Sequence, residues 1–144
     1  MPRGLVLLIV VAAAASTQAA YSDCFLTLNY ARDAVSATAW SACSPQYTVD
    51  LGIFTKMDCN LYAKSYNAPK CDPVIANYMK CAVKAVGLLK ADNTFDDAAF
   101  KATTLQNKCS ADAKFIAAYP KCMNYTMKYM NVGRLIACLV SAVY

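Results

Sequence analysis

Cys24, Cys43, Cys59, Cys71, Cys81, Cys109, Cys122 and Cys138 are eight cysteines in a chain that contains no histidine. Structural zinc sites use close thiolate pairs or imidazole ligands. Here no CxxC occurs, so the metal reading fails and an even count reads as four disulfides. A chain with four crosslinks belongs in an oxidising compartment, and the remaining sequence agrees.

The first twenty residues, MPRGLVLLIVVAAAASTQAA, place Arg3 before an apolar run from Leu5 to Ala15 and end in small residues. That order is the pattern of a secretory signal peptide cleaved after Ala19 or Ala20. The competing reading, a membrane anchor, needs about 20 apolar residues, and this run is shorter. The expected organisation is a signal peptide over 1–20 and one secreted, extracellular, cysteine-rich domain over 21–144. That length suffices for a core of its own, and stable membrane insertion is not expected.

The chain lacks glutamate as well as histidine. Ser-His, Cys-His and His-metal catalysis each need an imidazole. An enzyme would have to work with Asp and Lys, and the one adjacent carboxylate pair, Asp96-Asp97, sits where a helix start attracts negative charge. The chain is read as a non-enzyme with no cofactor. Thirteen basic residues follow Arg3 against nine aspartates, a balance of about +4. The basic residues, Lys80, Lys84, Lys90, Lys101, Lys108 and Lys114 among them, are scattered rather than run together, so a solvated surface is expected and nucleic acid is not a partner.

Four glycines and much Ala, Leu, Lys and Met point to an all-α, disulfide-stapled bundle of about five to seven helices. Ser22 or Asp23 caps a first helix that runs to Cys43 and stops at Ser44-Pro45. A second is expected over 49–66. Asp72 as cap and Pro73 as first residue would start a third, with Ile75, Tyr78, Met79, Ala82, Val83, Val86 and Leu89 on one face, ending near Lys90. Asn93 or Thr94 would cap a fourth, Ser110 a fifth, and Pro120 would begin a sixth. The closing RLIACLVSAVY, apolar on nearly every side, is expected at the centre, and Trp40 in the core. "DCNLYAKSYNAPKCDP" and "KCSADAKFIAAYPKCMN" echo one another weakly, a match that convergent packing gives as readily as a duplicated helical hairpin.

Helix geometry excludes two pairings. Cys24 and Cys43 on one helix would lie about 28 Å apart at 1.5 Å per residue, and Cys71 and Cys81 about 15 Å. Bridged Cα atoms lie within ~7 Å. The disulfides are therefore expected to staple helices to each other instead of closing local loops.

"YMKCAVKAVGLLKADNTFDDAAF" resembles the middle of insect odorant-binding (pheromone-binding) proteins, through Cys81, Val86-Gly87-Leu88 and Phe95-Asp96. The gap between Cys71 and Cys81 is wider than the family's. The resemblance implies a secreted helical fold around a cavity for small hydrophobic molecules, with bridges Cys43–Cys81, Cys71–Cys122 and Cys109–Cys138, and Cys24–Cys59 added.

Flexible methionines and amphipathic tyrosines suit such a cavity, which names Tyr78, Met79, Val86, Leu89, Met123, Met127 and Met130 as candidate ligand-binding residues. Ordinary core filling is the alternative for all seven. Asn124-Tyr125-Thr126 is an N-glycosylation sequon, which would place Asn124, Tyr125 and Thr126 at the surface. Two functions stand side by side: a carrier of a small hydrophobic ligand, or a toxin, effector or silk-associated component that meets an extracellular protein through its surface.

Overall fold

The computed structural model describes residues 21–144; the signal-peptide reading falls on residues outside that range. Among the described residues the fold is an all-α bundle of six helices held by four disulfides. α1 spans Asp23–Cys43, its first turn capped by the Ser22 hydroxyl, which accepts from the Phe25 amide. Burial at Cys24, Thr27, Leu28, Ala31, Val35, Ala39 and Cys43 gives one inward stripe at helical spacing.

α2 is Thr48–Lys56, ten residues shorter at its end than the sequence suggests. The chain turns at Asp58, whose φ of 58° is left-handed. Asn60 then spends its side chain on the Tyr62 amide, a local bond that competes with helix. α3, Ala68–Ala85, begins four residues before the expected cap. Asn67 caps it by accepting from the Lys70 amide, and Pro69 supplies the favoured early proline. Asp72 is thereby freed from capping and buried, while Pro73 sits inside the helix. The helix ends at Ala85 because Gly87 takes φ 74° and lets the Leu88 amide reach back to the Val83 carbonyl.

Asp96, not Asn93 or Thr94, caps the next element by accepting from the Ala99 amide. α4, Asp97–Ala99, runs into a π-turn over Phe100–Thr104. Asp112, not Ser110, caps α5, Ala113–Thr126, which passes straight through Pro120. The expected fifth and sixth helices are thus one. Asn131 caps α6, Val132–Val143, which packs against α1, α3 and α5. Its burial is confined to Val132, Leu135, Ile136, Leu139 and Val143, a narrower stripe than its composition suggests.

Two apolar cores result, and each holds two bridges. The first gathers Leu28, Val35, Val83, Leu88, Phe100, Leu105, Phe115 and the α6 stripe, with Cys24–Cys109 and Cys122–Cys138. The second gathers Ala39, Phe54, Tyr66, Ile75, Tyr78 and Met79, with Cys43–Cys81 and Cys59–Cys71. Of the pairings the family resemblance implies, Cys43–Cys81 alone occurs. Cys59–Cys71 closes a local loop of separation 12 because α2 stops early and the chain doubles back to α3. That leaves Cys122 to meet α6 and Cys24 to meet Cys109 beneath α1. The two echoing segments share neither structure nor bridging: the first is mostly turns, the second mostly helix. Four disulfides, with no helix among the described residues long and apolar enough to cross a membrane, are consistent with an extracellular protein.

Candidate functional site

α5 and the turns after the π-turn enclose a cleft of about 350 Å³. Its buried floor is Leu105, Phe115, Tyr119 and Cys109 of the Cys24–Cys109 bridge. The spacing of Phe115 and Tyr119 puts both on one face of α5, with ring centroids 5.0 Å apart. The outer wall is Ile116, 56% exposed, and Pro120. The site is therefore a cleft open to solvent rather than an enclosed cavity. Pockets for small ligands begin at about 300 Å³ and are mostly apolar, with few polar groups.

Of the polar side chains at its edge, Lys101 and Ser110 are engaged within the protein, while Asn107 makes no side-chain hydrogen bond. The Tyr119 hydroxyl donates to Asp97 Oδ1, and Lys101 Nζ lies 2.9 Å from Asp97 Oδ2 and 4.3 Å from the centre of the Tyr119 ring. Burial, then the Asp97 acceptor and its charge, push the Tyr119 phenol above its ordinary range. Burial alone would push the Asp97 carboxyl up, but the bonds from Tyr119 and Lys101 and the Lys101 charge together leave it below its usual value. Ser110 Oγ donates to the Asn107 carbonyl at 2.7 Å. Pro120 has no N–H to give the Ile116 carbonyl four residues before it. The cleft thus offers apolar surface beside an internally neutralised ion pair.

The seven residues named from sequence lie elsewhere. Tyr78 and Met79 are buried in the second core; Val86, Leu89, Met123, Met127 and Met130 pack half-buried against the first. None lines this cleft. Val86 and Leu89 instead line two separate grooves, beside α1 and beside the Ala91–Asn93 turn. The signal for the cleft was present as the 115, 119, 122, 126 stripe of buried residues, hidden by reading Pro120 as a helix start.

Asp96 and Asp97, the adjacent carboxylates, are engaged as helix cap and as partner of Lys101 and Tyr119. Trp40 is 63% exposed, contrary to its expected core position. It falls on the opposite face of α1 from the buried stripe, with Leu26 and Tyr30. Asn124 and Tyr125 are exposed, but Thr126 is buried and donates its hydroxyl to the Cys122 carbonyl, the usual way a threonine inside a helix satisfies itself. Of the scattered lysines, Lys80, Lys84, Lys90, Lys108 and Lys114 are exposed and Lys101 is half-buried.

No family model matches the chain, and no curated protein and no solved structure matches it.

Proposed function

We propose that the protein is a secreted, non-catalytic carrier of a small uncharged apolar molecule, held in the cleft between α5 and the turns at 105–110. The observation that carries this reading is a buried floor of Leu105, Phe115 and Tyr119 left open at Ile116, with its one ion pair satisfied internally. A charged ligand would find no uncompensated ion-pair partner there, which favours an uncharged apolar one. The likeness to insect odorant-binding proteins supports the same class of ligand by analogy alone.

The test is fluorescence titration with N-phenyl-1-naphthylamine, a neutral probe that brightens in apolar surroundings. Ile116→Asp places a charge on the outer wall, and desolvating it weakens probe binding about tenfold or more. Val49→Asp, at a 72% exposed site on α2, leaves binding unchanged. Equal loss in both variants, or no uptake by the native protein, overturns the carrier reading. The second outcome favours the alternative, a toxin, effector or extracellular-material component acting through protein contacts. Exposed Tyr30 and Trp40 on the outer face of α1 are the observation behind that alternative.

A further inference from the structure

Residues 21–144 contain two arginines, Arg32 and Arg134, and although they come from α1 and α6 both line one cleft of about 390 Å³. Lys64, from the loop between α2 and α3, lines it too, with walls of Tyr62, Tyr125 and Val140. Three cations from three elements thus converge on apolar surface.

Their charges are poorly compensated from within. Arg32 Nε pairs with Asp33 at 3.0 Å, an exposed contact between chain neighbours. Neither Lys64 nor Arg134 forms a salt bridge among the described residues. The buried carboxylate Asp72 pairs with none of them and accepts at Oδ1 from the Tyr66 hydroxyl at 2.5 Å and from Asn131 Nδ2 at 2.6 Å. Charged groups are rarely buried without a partner, yet the half-buried Arg134 has only the Leu61 carbonyl as hydrogen-bond acceptor for its guanidinium, and its Nε is buried with none.

The same contacts hold the guanidinium still. It lies 4.5 Å from the Tyr66 ring centre, and Nη1 is anchored to Leu61. Across the cleft, Arg32 sits 5.8 Å from the Tyr62 ring, whose hydroxyl lies 3.3 Å from Ser36 Oγ. A fixed guanidinium loses little freedom on meeting a carboxylate, and arginine presents a planar fork that matches one.

We propose that this cleft is a second binding site, for a small organic carboxylate with an apolar or aromatic body. The carboxylate meets Arg134, Arg32 and Lys64, and the body lies against Tyr62 and Tyr125. It is separate from the neutral cleft on α5 and goes beyond the carrier reading.

The probe is 2-naphthoate, compared with uncharged 2-naphthamide, each titrated into isotope-labelled protein and followed by amide chemical shifts. Saturable shifts around residues 62–64, 125 and 134–141 with naphthoate, at least tenfold weaker with naphthamide, support the site. Arg32→Gln with Lys64→Gln removes two charges without touching the Leu61 anchor and weakens naphthoate about tenfold or more. Binding of N-phenyl-1-naphthylamine near Ile116 is unaffected by that pair, which keeps the two sites' fates distinct. Equal binding of acid and amide, binding of neither, or naphthoate shifts centred on 101–120 overturns the proposal.

Discussion

Removing the Cys24–Cys109 bridge costs more than removing Cys59–Cys71, and the excess is set by chain length. The first closes a separation of 85 residues and the second one of 12. The Cys43–Cys81 bridge, kept in both variants, shortens the path that Cys24–Cys109 closes to about 47 residues, so loop-closure entropy gives about 4.1 kcal/mol for the long crosslink and about 2.8 for the short one. Packing does not separate the pairs, because all four cysteines are buried, from 1% exposed at Cys24 to 9% at Cys59. The double variants Cys24→Ala with Cys109→Ala, and Cys59→Ala with Cys71→Ala, therefore differ by about 1.2 kcal/mol. Urea unfolding followed by tyrosine and tryptophan fluorescence measures it. The long-loop variant also gains m-value, since its unfolded chain expands further and exposes more surface. Equal losses, or a larger loss at Cys59–Cys71, would falsify the entropic account and assign bridge stability to native packing.

Asp72→Ala leaves the Tyr66 hydroxyl and the Asn131 amide without their shared buried acceptor and costs about 3 kcal/mol. Asp72→Asn keeps an oxygen there and costs less than half of that, a difference read from the same urea curves. Asp97 supplies a pH signature. Its carboxyl titrates below the unfolded value in the native state, so its stabilisation is present above pH 3.8 and is lost as pH falls through the depressed value. Urea midpoints between pH 2 and 6 therefore fall less steeply for Asp97→Asn than for the native protein, and parallel profiles refute the assignment.

Capping and periodicity made α1 legible nearly to the residue, because Ser22, the buried stripe and Ser44-Pro45 all point the same way. The inner face of α3 from Ile75 to Val83 was legible for the same reason. Its start was not. Asp72-Pro73 is a good local signal, but Asn67 and Pro69 make an equally good one earlier, and tertiary contacts with Asn131 decide between them. Pro120 misled similarly: its missing donor affects only the solvent side of α5, so the inner face continues undisturbed. The disulfide partners depend on which turns fold back, and Asp58 at φ 58° determines that for Cys59. The helical half of the α5 cleft lay in the stripe at 115 and 119, whereas its other half is built from turn residues that meet that face only in three dimensions. The cationic cleft escaped because Arg32 and Arg134 stand about a hundred positions apart.

The division of four bridges between two cores makes the molecule a pair of independently clamped modules on a shared frame. α1 and α3 run through both, with Leu28 and Val83 in one core and Ala39 and Ile75 in the other. Substitutions that reshape the cleft around Phe115 fall in the core that holds Cys24–Cys109 and Cys122–Cys138. The other module retains its own crosslinks and keeps the frame in place. The frame that presents the cleft thus keeps two crosslinks that no change at the cleft removes.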